Sequence, residues 1–237
     1  MEKGKLYLFP TPLSENAIHT LPAYVIEKLH QIDIFIAERA KTARHFIKAT
    51  KPPRPIQALT VHELGKYTKE AEWRQYLDAA LEGKDIGLLS EAGCPGVADP
   101  GAEIVRLAYE KGLEVVPFVG PSSILLALMA SGMNGQEFCF KGYLSPKKPQ
   151  LTKDLKTLEQ LSQRFHQTQI FIETPYRNQN LVETALQALS PSTRLCIACD
   201  LTASTEWVKT LTIAEWQKVK LPDLHKRPAI FLLLKEQ

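Results

Sequence analysis

Short apolar runs that stop at proline, glycine or serine constrain this chain more than any other feature. Lys5-Leu6-Tyr7-Leu8-Phe9 is stopped by Pro10-Thr11-Pro12, Asp85 to Leu89 runs straight into a Gly/Pro-rich loop, and Leu113 to Phe118 meets Val119-Gly120-Pro121. Proline removes a ladder donor and glycine costs entropy in an extended run, so such residues end strands. Helical stretches lie between: about Leu21 to His30, near Ala43 to Ala49 ahead of Pro52-Pro53, around Tyr67 to Glu82 with Gly83 as a stop, and Glu103 to Lys111 closed by Gly112. A further strand, Ile32 to Ala37, sits among them, and an apolar helix starts at Ser122-Ser123 and runs to about Ala130. The second half repeats the rhythm, with strands at Glu137 to Tyr143, Gln169 to Ile172, Arg194 to Ala198 and Ala229 to Leu234, and helices at Leu151 to Phe165 and Asn178 to Leu189. Alternation of this kind predicts α/β layers with largely parallel sheets. A boundary near Gly120 to Met133 divides the chain into an N-terminal α/β domain, 1–120, and a C-terminal one, 121–237.

Bulk properties exclude several classes. The 237 residues are 44% hydrophobic and 23% charged, which suits an ordinary globular protein with room for two domains. A net charge of +3 permits RNA contact without demanding it. From Arg39 to Arg54, however, six Lys/Arg and His45 occur with no acid. Such a cluster follows a phosphate backbone or forms a solvated helix face, and sequence leaves both open. Cys94, Cys139, Cys196 and Cys199 are too few for a disulfide scaffold. Cys196 and Cys199 fall three steps apart in an apolar strand, on opposite faces, so reduced thiols are expected. Histidines at 19, 30, 45, 62, 166 and 225 show no metal-ligand spacing, and no metal is expected. Neither a signal peptide nor a membrane span is legible, which points to the cytoplasm.

Open parallel sheets bind ligands at the carboxyl ends of their strands. Three loops in that position stand out: Ser90 to Gly101, Gly120-Pro121-Ser122-Ser123, and Glu173-Thr174-Pro175-Tyr176-Arg177. The first carries three glycines, two prolines and the carboxylates Glu91 and Asp99, which can accept from a diol or an amino group. A long structural turn has the same composition. The second places small residues at a helix start, where N–H groups cap or hold a carboxylate. The dinucleotide fingerprint, the phosphate loop and the nucleophile elbow are all absent.

Taken in order, these segments resemble one family. Leu88-Leu89-Ser90-Glu91-Ala92-Gly93-Cys94-Pro95-Gly96-Val97-Ala98-Asp99-Pro100-Gly101 resembles its Ser-Asp-Ala-Gly-Thr-Pro-x-x-Ser-Asp-Pro-Gly signature. Val116 to Ser123 resembles its Pro-Gly-Pro-Ser-Ala segment, and Phe171 to Arg177 its Phe-Tyr-Glu-Ser-Pro-His-Arg segment. Asp200-Leu201-Thr202 is similar to Arg-Glu-Leu-Thr, and Leu6 to Pro12 to the opening strand and its Ala-Thr-Pro turn. The family is that of bacterial small-subunit ribosomal RNA 2′-O-ribose cytidine methyltransferases, within the tetrapyrrole-methylase (class III) superfamily. The matches span nearly the whole chain. Departures lie at Leu13 to Ala17, at Ala37 to Lys41, at Glu91 where the family has Asp, and at Cys199-Asp200 where it has Arg-Glu.

The resemblance implies two α/β domains of the tetrapyrrole methylase type with S-adenosylmethionine in the cleft between them, a homodimer, and ribosomal RNA or the small ribosomal subunit as partner. By position it assigns cofactor contacts to Pro10, to Glu91, Ala92, Gly93, Pro95, Gly96 and Val97, and to Ser122 and Ser123. From the second domain it adds Phe171, Leu201, Pro228 and Ala229. A ribose hydroxyl is a weak nucleophile that benefits from a general base. Glu38 and Glu173, each just after a strand, are the candidates, with Lys41, Arg44 and Arg177 to meet the substrate's phosphates. Two other readings stay open: methyl transfer to a small molecule such as a tetrapyrrole, and a catalytically silent module that binds RNA or a partner.

Overall fold

The computed structural model describes residues 2–65 and 70–236, which fall into two compact units, Met1–Ser122 and Ser123–Gln237.

Unit 1 is a parallel sheet with helices on both faces. Its elements are β1 (Leu6–Phe9), α1 (Ala23–Leu29), β2 (Ile34–Ala37), α2 (Ala40–Ala49), β3 (Thr60–Glu63), α3 (Glu70–Tyr76), α4 (Asp78–Leu81), β4 (Ile86–Leu89), α5 (Gly101–Glu110) and β5 (Val115–Pro117). The strand order is β3-β2-β4-β1-β5, and every pairing is parallel. Alternate side chains feed two cores. Leu6, Ile36, Ile86 and Leu88 meet Ala80, Ile104 and Leu107 on one face. Phe9, Phe35 and Leu89 meet Val25, Leu29, Ala43 and Ile47 on the other. All four residues of β4 are buried, as a strand covered on both faces requires. Each fully buried Leu, Ile or Phe contributes about 1.5–3 kcal/mol. The helix expected from Tyr67 to Glu82 is broken at Leu77 into α3 and α4, and Tyr67 lies outside the described residues. Strand β3 is an element that apolar pattern does not reveal.

Unit 2 comprises α6 (Ser123–Ser131), β6 (Phe138–Tyr143), α7 (Lys148–Phe165), β7 (Thr168–Ile172), α8 (Asn178–Ala188), β8 (Arg194–Cys199), β9 (Trp207–Thr212), α9 (Ile213–Trp216) and β10 (Ala229–Leu234). Its sheet order is β6-β7-β10-β8-β9. Only β6 and β7 run parallel; β10 is antiparallel to β7 and β8, and β9 is antiparallel to β8. The expectation of largely parallel sheets therefore fails here. Residues 200–206 are too short a link between β8 and β9 for a crossover helix, so β9 must turn back. Leu151, Leu155 and Leu158 of α7 pack with Leu181, Val182 and Ala185 of α8 over Phe171, Ile197 and Phe231. Helix α9 starts with a capping box, Glu215 N–H donating to Thr212 Oγ1 at 3.3 Å and Thr212 N–H to Glu215 Oε2 at 2.8 Å.

Candidate active site

In unit 1, β1 lies between β4 and β5, so parallel pairing brings their three exit loops to one edge of the sheet. These loops are tied together. Thr11 and Gly93 form a two-way bridge, N–H to carbonyl at 2.9 and 3.0 Å. The Thr11 and Ser90 hydroxyls are 3.2 Å apart, and the Ser90 hydroxyl donates to the Gly93 carbonyl. Gly93 sits at φ +80°, and a Cβ there would meet Leu13 at 3.2 Å, so glycine alone fits without strain. Gly120 approaches Pro10 so closely that a Cβ would fall 2.3 Å from the proline Cβ. The Cys94 thiol reaches the Pro121 carbonyl at 3.5 Å.

Asp99 holds the far end of the β4 loop. Its Oδ1 accepts N–H bonds from Gly96 at 2.7 Å and Gly101 at 2.8 Å, fixing the turn into α5. Burial raises its carboxyl above the usual carboxylate range, the two N–H donors oppose this, and the Glu38 charge adds to the rise. Asp99 thus shapes the loop instead of offering that oxygen to a ligand. Its role is legible only as Asp-Pro-Gly ahead of a helix, a turn-and-start signal. Glu38, half-buried just beyond β2, makes no hydrogen bond or ion pair among the described residues. Glu63, at the end of β3, accepts the Ala40 N–H at 2.9 Å and so anchors the start of α2.

The expected cofactor residues divide by exposure. Pro10, Gly93 and Pro95 are buried within the loop assembly, whereas Ala92 and Val97 are exposed. Ser122 and Ser123 are half-buried where α6 begins. Glu91 and Ala92 line a pocket of about 230 Å³ together with Thr11, Leu13 and Phe46. Lys41 and Arg44 are exposed on α2; Arg44 opens onto a second concavity, of about 480 Å³, shared with Lys48 and Lys51.

In unit 2 the antiparallel placement of β10 brings its start to the ends of β7 and β8. Pro228 and Ala229 therefore share an edge with Leu201 and with the loop Glu173 to Arg177; the Asp200 N–H donates to the Pro228 carbonyl at 2.9 Å. The side chain of Glu173 is 2% exposed, and its Oε1 accepts from Arg177 Nη2 and from the Thr174 N–H, both at 2.6 Å. Its pull on the proton raises the Arg177 guanidinium's pKa. Arg227 is clamped by Asp200, by the Asp223 carbonyl and by the Thr205 carbonyl. Phe171 is fully buried and stacks on Phe231 with centroids 5.9 Å apart, so a ligand could meet only its backbone. Leu201 is buried and Pro228 exposed.

Cys196 and Cys199 are both buried and free, on opposite faces of β8, and burial pushes each thiol up to about 11. Among the described residues no group of three or more His, Cys, Asp or Glu could hold a metal ion, and no helix is long and apolar enough to cross a membrane.

The family model of tetrapyrrole (corrin/porphyrin) methylases matches residues 19–217. The chain belongs to this family. As a tetrapyrrole methylase family member it is an S-adenosylmethionine-dependent methyltransferase by class. Several relatives carry the name ribosomal RNA small subunit methyltransferase I. The one from Bacillus subtilis (strain 168) is 31% identical, over 90% of this chain and 69% of its own length. The one from Escherichia coli O157:H7 is 30% identical, over 99% of this chain and 78% of its own. Among solved structures, uroporphyrin-III C-methyl transferase from Thermus thermophilus, complexed with S-adenosyl homocysteine, has a TM-score of 0.59 at 17% identity, covering 98% of each chain. That likeness concerns the fold of the tetrapyrrole methylase family.

Proposed function

We propose that this methyltransferase acts on small-subunit ribosomal RNA in the cytoplasm, at a ribose 2′-oxygen, as a homodimer. The observation that carries the reading is the ~30% identity, across most of both chains, to relatives named for that substrate. When bound, S-adenosylmethionine supplies a methyl group made electrophilic by its sulfonium. The strand-exit loops of unit 1 suit that ligand: backbone N–H groups for its carboxylate, Glu91 for a diol or ammonium, and apolar flanks from Pro95 and Val97. Ser122, Ser123, Leu201, Pro228, Ala229 and the backbone of Phe171 complete the set that family resemblance assigns.

Positioning supplies much of the rate in such a transfer, because hydroxyl, methyl and sulfur must lie in line. Glu38 is the stronger candidate to take the hydroxyl proton, since its carboxylate has no partner among the described residues. Glu173 is already engaged by Arg177, which favours a role in aiming that guanidinium at a phosphate. Lys41 on α2 is the other expected phosphate contact.

The test is transfer of labelled methyl from S-adenosylmethionine to small subunits that lack their own ribose methylation, with the product mapped on the RNA. The expected result is one labelled 2′-oxygen. Label on a tetrapyrrole and none on RNA would overturn the reading. Glu38→Gln is expected to lower kcat by roughly 10²–10⁴-fold without changing cofactor affinity. Full activity in that variant removes Glu38 as the base.

A further inference from the structure

Helix α2 presents two stripes toward solvent. Thr42, Phe46 and Ala49 recur at four and three residues and line the 230 Å³ pocket. Arg44 and Lys48 recur at four residues on the other stripe, and Lys51, just past the helix end at φ +55°, joins them in lining the 480 Å³ concavity. His45 borders both and stands on the ridge between them. The stripes are no farther apart than the diameter of a helix with its side chains, about 10–12 Å.

The two concavities differ in chemistry. Arg44, Lys48 and Lys51 have neither an ion pair nor a side-chain hydrogen bond among the described residues, so one groove carries three uncompensated cations. Arg54, beside them, is held instead by Asp33 and by the His30 carbonyl. The pocket is walled by Leu13, Ile18 and Phe46 and rimmed by hydroxyls and by the carboxylates of Glu15 and Glu91, which can accept from a base's amino group but not face a phosphate. At about 230 Å³ it is smaller than the roughly 300–1,000 Å³ typical of sites for drug-sized ligands, so it suits one ring-sized group. A row of cations next to an apolar, aromatic-walled pocket matches a single strand of nucleic acid with one base unstacked.

We propose that this pair of concavities is a single-stranded RNA site, in which Arg44, Lys48 and Lys51 hold the phosphates and the Phe46 pocket receives a base. This deepens the ribosomal RNA reading and rests on it for the choice of RNA as the polyanion. Phosphate contacts and base contacts leave different marks on salt dependence. Each phosphate contact on a single strand contributes about 0.7 to the slope of log affinity against log salt, whereas a base in an apolar pocket contributes none.

The experiment is fluorescence anisotropy of the full chain with a labelled single-stranded RNA across a salt series, beside S-adenosylmethionine titrations and melting curves of each variant. Lys48→Gln/Lys51→Gln is expected to weaken RNA binding at least tenfold at low salt and to lower the slope by about 1.4. Ala49→Phe, which fills the pocket from its exposed rim, is expected to weaken binding with the slope unchanged. Lys218→Gln/Lys220→Gln, on unit 2, is expected to bind as the parent does. Cofactor titrations should be the same in the parent, in Lys48→Gln/Lys51→Gln and in Lys218→Gln/Lys220→Gln. Parental RNA binding in either α2 variant overturns the site. So does uroporphyrin, a polycarboxylate, binding in a Lys48/Lys51-dependent manner where RNA does not. If the parent chain methylates small subunits while the α2 variants bind RNA normally, the inference fails and the ribosomal RNA reading stands. Groove-dependent RNA binding with no transfer to small-subunit RNA keeps the site and removes that reading.

Discussion

Asp99 is half-buried and Glu173 buried, and the two carboxylates are held by different partners. Burial and Glu38 raise the Asp99 carboxyl above its unfolded value, so the folded state is relatively favoured while Asp99 is protonated, and that benefit is lost as pH rises through the folded pKa. Asp99→Asn keeps the acceptor for Gly96 and Gly101 and removes the charge. It is expected to melt higher than the parent at neutral pH, with the gap closing as pH falls below the carboxylate range. Calorimetric scans at several pH values check this; a gap that widens on acidification contradicts it. Glu173 is instead held by Arg177 and the Thr174 N–H. Glu173→Ala leaves both donors unmatched and is expected to cost about 1–3 kcal/mol, reduced by the solvent that reaches Arg177, while Glu173→Gln recovers most of that in denaturant titrations. The motif Glu-Thr-Pro-Tyr-Arg puts Glu173 and Arg177 just past a strand, and the turn closed by the Arg177 N–H on the Thr174 carbonyl at 2.9 Å is what brings the two side chains together. What the motif does not tell is which carboxylate is free. Glu91, Asp99, Glu38 and Glu173 look alike in sequence, and only the direction of neighbouring N–H and guanidinium groups separates loop-shaping from ligand-facing oxygens.

At the scale of elements, the closeness of the β1 and β5 exits depends on Gly120. A Cβ 2.3 Å from Pro10 cannot be absorbed without moving one loop. Gly120→Ala is expected to cost about 1–3 kcal/mol and to weaken cofactor binding, read by melting and by calorimetric titration. An unchanged affinity would separate that contact from the ligand site. Long buried strands and strongly periodic helices were legible because they bury continuous apolar surface, as in Ile86–Leu89 of β4. Strands β3 and β9 were not. Thr60-Val61-His62-Glu63 is an edge strand with mixed polarity, and Trp207–Thr212 lies at the edge of the other sheet, half-exposed. Edge strands need fewer apolar residues, so their pattern is weak. Strand direction in unit 2 was misjudged for a related reason: alternation records which face is buried, whereas direction is set by the length of the connection.

For the whole molecule, ligand linkage gives the simplest check on class. A ligand that binds only the folded chain, at about 100 times its Kd, stabilises by about 2.7 kcal/mol. For a chain of this size that corresponds to a rise in Tm of roughly 5–10 °C with S-adenosylmethionine, and no rise would count against the family's cofactor. Unit 2 also carries an instruction about time. Its sheet is built around β10, the last strand in chain order, which lies between β7 and β8 and pairs with both. During synthesis the strands of unit 1 are all complete by Pro117, so that sheet can close early. The sheet of unit 2 must wait, its two inner strands held apart, until residues 229–234 have emerged from the ribosome. A nascent chain stalled before Ala229 should therefore protect unit 1 from protease and leave unit 2 open to it.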